Sequence, residues 1–178
     1  MKTAIIRCIL MIQGITVYRR IVRLLHVDIS VREANEEDER KFIAWLHPGR
    51  TEIHIAPDIT CTCFIAEKGG RIIGSVELVR RTNKHYPYDG YWLSSLNVRI
   101  MYRGMGIGEE LSQKVIAKSR EEGAKELCLT VGENNHPAIR LYQKLGFQFK
   151  VVPELEKQFE QERDAHRRAM LLMCISLT

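Results

Sequence analysis

Residues 103–108, Arg103-Gly104-Met105-Gly106-Ile107-Gly108, set three glycines at alternate positions ahead of a helix-forming stretch that runs to about Glu122. Glycines so spaced expose successive backbone N–H groups, and the first N–H groups of a helix have no partner within it. Together they make an anion-binding concavity, and Arg103 at its lip adds a permanent charge. The helix end contributes about 0.3–1 kcal/mol when exposed and ~2 kcal/mol when partly buried. Hydrogen bonds from the loop amides to charged oxygens would therefore supply most of the grip. Two familiar phosphate loops fail here. A dinucleotide fingerprint needs glycine where Glu109 stands, and a P-loop needs lysine where Gly108 is followed by Glu109 and Glu110. Read alone, the stretch also fits a tight turn that binds nothing.

A second segment, "NNHPAIRLYQKLGF", follows at 134–147. Asn135 is a helix cap, Pro137 suits the first turn, and Gly146 closes the helix. Ala138, Leu141, Tyr142 and Leu145 recur at helical spacing, so the spacing alone makes Tyr142 an aromatic that packs inward.

The elements that must position these groups can be read along the chain. Residues 27–34 alternate like a half-buried strand, and 35–46 open with Asn35 and acids, as a helix start does. Residues 59–67 and 72–80 are two strands around Gly69-Gly70, an antiparallel hairpin. A polar loop over 82–90 leads to the strand "YWLSSLNV" at 91–98. The glycine loop, its helix (core stripe Ile107, Leu111, Val115 and Ile116) and the short apolar strand "KELCLTVG" at 125–132 complete a parallel crossover. "FQFKVV" reads as a strand, 154–167 as a charged helix, and "RAMLLMCISL" as a final strand. The pattern is α+β: a mixed sheet flanked by helices, antiparallel at first, with one parallel strand–helix–strand crossover at its centre.

The 178 residues suit one domain, and no repeat or linker divides them. A net charge of +5 fits an anionic small ligand as well as nucleic acid, but the basic residues are scattered and no nucleic acid is expected. Residues 1–26 form an apolar and basic appendage, with helical spacing of Tyr18, Ile21, Val22 and Leu25; Met11 is an alternative start. Arg7 and Arg19 bound only eleven uncharged residues, too few for a membrane span of about 20. The five cysteines (Cys8, Cys61, Cys63, Cys128 and Cys174) form no CxxC pair and are expected as reduced core residues of a cytoplasmic protein, without a metal.

The two segments in this order resemble the signature motifs of the GNAT superfamily of N-acetyltransferases. Arg103, Gly106 and Gly108 match its acetyl-CoA loop; Asn135, Ala138, Leu141, Tyr142, Lys144, Gly146 and Phe147 match its second motif. The resemblance covers roughly residues 27–152 in element order and implies a transferase domain over 27–178. It implies acetyl-CoA as cosubstrate, its pyrophosphate on the amides of Gly104, Met105, Gly106, Ile107, Gly108 and Glu109. Its pantetheine arm would lie along Leu96, Asn97 and Val98, touched by Asn135, with Lys144 also at the cofactor. Tyr142 would sit near the thioester sulfur as general acid, contributing typically ~10²–10⁴-fold.

The pattern departs at one place. Members often carry a glutamate four residues before the valine that matches Val98, and here that position is Ser94. The general base is therefore open among Glu77, Asp89, His85 and His136, with Glu77 and Asp89 the leading pair. The acceptor is an amine of a small molecule or of a protein. The Tyr-Tyr pair common in amino-terminal acetyltransferases is missing after Phe147. A homodimer stays open, and so does a non-catalytic acyl-CoA-binding module on the same fold.

Overall fold

A computed structural model describes residues 29–38, 40–41, 58–166 and 169–178. The appendage read over 1–26 and most of the helix read over 35–46 lie outside the described residues. Within them, the strands are β1 (Ser30–Glu33), β2 (Ile59–Lys68), β3 (Arg71–Arg81), β4 (Gly90–Val98), β5 (Glu126–Gly132), β6 (Gln148–Phe149) and β7 (Met170–Ser176). Their spatial order is β1-β2-β3-β4-β5-β7-β6, and β4 with β5 is the parallel pair in an otherwise antiparallel sheet. The helices are α1 (Ile107–Glu121), α2 (His136–Lys144) and α3 (Pro153–His166). Another helix opens after Asn35, whose Oδ1 accepts from Asp38 N while Asp38 Oδ2 accepts from Asn35 N, both at 3.0 Å. That reciprocal cap satisfies two donors at the helix start.

The period-2 alternation of the strands sorts side chains to two faces. Val76, Leu78, Leu93, Leu127, Leu129, Val131 and Met173 face α1 and α2, where Ile107, Leu111, Val115, Ile116 and Tyr142 meet them. The stripe expected on α1 is thus the buried one. Val79, Trp92, Leu172 and Cys174 face the other way, against Leu155 and Phe159 of α3. The strand expected over "FQFKVV" is cut to Gln148–Phe149, because the chain turns into α3 at Pro153. Proline has no N–H to lose at a helix start and its ring presets φ there.

One expectation about the cysteines is overturned. Cys128 of β5 and Cys174 of β7 are directly opposed in register and joined as a disulfide, with Cα atoms 4.1 Å apart. Their side chains leave the same face of adjacent strands, so two cysteines 46 residues apart in sequence become neighbours. No spacing rule along the chain could show that.

Gly74 fixes how closely α1 approaches the sheet. A Cβ there would lie 3.1 Å from the Asn97 carbonyl oxygen, 3.2 Å from Leu111 Cδ1 and 3.3 Å from Ile107 Cγ2. The first is backbone and cannot swing aside. Gly74→Ala is expected to destabilise the fold by about 1–3 kcal/mol, the usual range for an overpacked core. Urea denaturation checks this, and an unchanged midpoint would show that β4 and α1 can yield.

Candidate active site

Parallel pairing of β4 with β5 is recorded at Tyr91↔Leu127 and Trp92↔Cys128, and among the described residues it goes no further. Beyond Trp92 the strands part and leave a cleft of about 300 Å³. Leu93 to Leu96 form one wall, Thr130, Val131 and Gly132 the other, and Asn135, Ala138 and Tyr142 of the α2 segment close it. Two central strands thus turn peptide edges toward a space, and buried backbone groups demand partners.

A β-bulge shapes the β4 wall. The β3–β4 register shifts between Ser75↔Asn97 and Glu77↔Ser94, so two residues on β4, Ser95 and Leu96, oppose Val76 alone. Ser95 takes φ +54°, a left-handed conformation that a small polar residue tolerates better than a branched one. Ser95, Thr130 and Gly132 line the cleft although sequence reasoning passed over them. The signal was there: two serines interrupt an apolar strand.

At the parting end, Gly104 and Gly106 adopt φ +76° and +89°, which turn the chain sharply from β4 into α1. Gly106 is the N-cap and no side chain caps the helix, so its first amides face outward. Gly108 meets Leu141, Val98 and Leu96 within 3.5–3.9 Å of the place a Cβ would take, which seats the first turn of α1 against β4 and α2. Arg103 is exposed, and its Nε donates to the Val98 carbonyl at 2.9 Å, tying the loop to the end of β4. Glu109 and Lys144 meet each other, Nζ to Oε2 at 2.6 Å, bridging α1 and α2. Such partly exposed pairs contribute about 1 kcal/mol or less.

Tyr142 is 6% exposed and packs edge-on against Phe147, with ring centroids 5.8 Å apart. Burial pushes its phenol up to about 12. Asn135 caps α2, its side chain accepting from Ala138 N at 3.4 Å. Glu77 is the register partner of Ser94, so its carboxylate leaves the same face of the sheet beside the position that lacks one. Asp89 stands before β4, at the far end of that strand, and lines other cavities. His85 Nε2 lies 3.0 Å from Asp58 Oδ2, and His136 is exposed at the start of α2. The structure therefore gathers Leu96, Asn135 and Tyr142 around one cleft, with Glu77 next to Ser94 and the glycine loop between β4 and α1, and leaves Asp89 and His85 apart.

The chain belongs to the acetyltransferase (GNAT) family, whose model matches residues 23–147. It is 32% identical over 85 residues to N-acetyltransferase family 8 member 2 of Rattus norvegicus, covering 48% of this chain and 38% of the relative. It is 33% identical over 85 residues to N-alpha-acetyltransferase MAK3 of Arabidopsis thaliana, covering 48% and 44%. The match spans less than half the length of either relative. In fold it is similar to a Bacillus subtilis acetyltransferase solved in complex with CoA, with TM-score 0.58 and 17% identity over 85% of this chain and all of that one. No helix among the described residues is long and apolar enough to cross a membrane.

The raised phenol value couples folding to alkaline pH. Protonated Tyr142 is favoured in the folded chain, so its contribution is full below the ordinary value of 10.0 and is lost as pH rises toward about 12. The separation corresponds to roughly 2–3 kcal/mol. Tyr142→Phe should therefore lose stability less steeply than wild type across that window, read by urea denaturation at stepped pH. Equal slopes would mean that Tyr142 ionises like an exposed tyrosine.

Proposed function

We propose that this chain is an acetyl-CoA-dependent N-acetyltransferase that passes acetyl directly to an amine, with residues 27–178 as the transferase domain. The observation that carries the reading is the parting of β4 and β5 between an uncapped, glycine-led helix start and the buried phenol of Tyr142. Acetyl-CoA would supply the acyl group as a thioester, whose transfer to an amine nitrogen leaves a thiolate. The fit rests on the chain's own groups. Amides of Gly104 to Glu109 suit the diphosphate, and Arg103 adds positive charge at the loop, with Lys144 beside it paired to Glu109. The unpaired edge of β4 at Leu96 and Asn97 suits an extended amide-bearing arm, taken up as an added strand. Val98 contributes less through its carbonyl, which already accepts from Arg103. Asn135 stands at the arm's side of the cleft.

Tyr142 would hold the proton that the departing sulfur needs. A phenol near 12 looks a poor donor to a thiolate whose ordinary value is about 8.5. The same apolar surroundings disfavour the thiolate too, and raise its affinity for a proton. Both values therefore rise together, and a hydrogen bond from Tyr142 stabilises the developing charge.

Glu77 would take the proton from the incoming ammonium. It faces Ser94 across the β3–β4 ladder, so the carboxylate missing from β4 is present one strand over. Asp89 is the second candidate and is the worse placed, at the other end of β4. The acceptor class remains an amine of a small molecule or a protein. The name of the Arabidopsis relative supports a protein amine, and the missing Tyr-Tyr pair weighs the other way. Ser94 itself favours the second reading, a binder of acyl-CoA without turnover; the placement of Glu77 and Tyr142 weighs against it.

Release of free thiol from acetyl-CoA across a panel of amines tests the reading, and tight CoA binding with no turnover on any amine would establish the binder instead. Once an acceptor is found, Tyr142→Phe should lower kcat by about 10²–10⁴-fold with little change in KM for acetyl-CoA. Full turnover in that variant sinks the acid role. Gly106→Ala should act differently, raising KM for acetyl-CoA about tenfold or more, because alanine resists the left-handed φ that aims the loop amides.

A further inference from the structure

The face of the sheet opposite α1 and α2 carries chemistry that the cleft does not use. Cys128 and Cys174 form their disulfide across β5 and β7, and both sulfur-bearing residues line a cavity of about 380 Å³ between the start of β4, α3 and the ends of those strands. Cys174 is 7% exposed, whereas Cys128 is half-buried. Lys125 and Lys150 stand at the same cavity. Glu126 is there as well, its Oε2 3.5 Å from Cys128 Sγ and 2.6 Å from Lys150 Nζ. A carboxylate and two sulfurs so close could suggest a cation site. The carboxylate is already paired with Lys150, and the two sulfurs are bonded to each other, so this set is a poor fit for a metal.

The position in the fold is equally specific. Cys128 pairs with Trp92 in the last recorded rung before β4 and β5 part, so the disulfide pins β5 at the fork of the cleft. The loop it closes, residues 129–173, contains Asn135, Tyr142 and all of α2.

We propose that Cys128–Cys174 is a thiol–disulfide exchange site for small thiols, reached through this cavity, with Cys128 as the sulfur attacked. A thiolate RS⁻ forms a bond to Cys128 Sγ while the S–S bond breaks, and its electron pair leaves with Cys174 as thiolate. A second thiolate attacks the outer sulfur of the mixed disulfide, releasing RSSR and the Cys128 thiolate. The two protein thiolates take up two protons from solvent. RSH is oxidised and the protein disulfide is reduced, so the balance needs no further reactant. Lys125, at the same cavity, favours each thiolate as it forms. Exposure sets the regiochemistry: Cys128 is the more open sulfur at the edge of the cluster, while Cys174 is buried within it beside Trp92, Leu155 and Leu172. Reduction removes the covalent closure of the α2 segment and leaves the β5–β7 ladder to hold it.

The test uses the full chain, air-oxidised and folded, with exposed thiols alkylated first and peptides mapped by mass spectrometry. A linked Cys128–Cys174 peptide is expected, and millimolar dithiothreitol should reduce it without denaturant. Glutathione should leave a mixed disulfide on Cys128 rather than Cys174. Tm should fall by about 5–15 °C on reduction and recover on reoxidation, from the closure stabilisation typical of such loops. Cys174→Ser should show the lower Tm with and without reductant. Absence of the linked peptide overturns the proposal, and so does a bond that is reduced only in denaturant. Glutathione found on Cys174 overturns the assignment of Cys128. None of these readouts depends on acetyl transfer, so the proposed activity and the exchange site stand or fall separately.

Discussion

The structure depends on a failure of pairing. β4 and β5 are hydrogen-bonded neighbours at Tyr91↔Leu127 and Trp92↔Cys128, and then separate in the middle of a seven-stranded sheet. Backbone N–H and C=O groups strongly resist burial without partners. A sheet that parts at its centre has therefore exchanged some of its own ladder for a slot in which another extended amide can complete it. The bulge at Ser95 and Leu96 falls in the same part of β4, beyond its last pairing with β5.

Everything else around the cleft keeps that opening in place. Gly74 lets α1 lie close enough to β3 and β4 that Ile107 and Leu111 fill the core beside them. The left-handed glycines turn the chain at once from strand into helix, so the helix amides arrive at the end of the slot. α2 closes the remaining side, and its one fully committed aromatic, Tyr142, is buried against Phe147 rather than solvated. Its high proton affinity is a consequence of that packing. Site and core are thus the same set of contacts viewed from two sides.

The carboxylate question shows how a register can replace a sequence position. Ser94 supplies no base, but an antiparallel ladder puts Glu77 directly beside it. A carboxylate absent from one strand is present on its neighbour. The cysteines follow the same logic: Cys128 and Cys174 have no meaning as a spaced pair and acquire one only when β5 and β7 are laid in register.

The order of elements, the buried stripe of α1, the cap at Asn135 and the glycine turn were legible from the residues themselves. Helical period, strand alternation, capping side chains and positive-φ glycines are local physics, expressed within a few residues of where they are written. The two motifs that carry the family resemblance are local in the same way. What only the tertiary structure decided is non-local: how far β4 and β5 stay paired, which carboxylate neighbours Ser94, that Arg103 closes onto Val98, that Glu109 meets Lys144, and that two cysteines are bonded. Each depends on a strand register or a helix docking distance. One step of register moves every side chain to the opposite face, and no window of sequence contains that step.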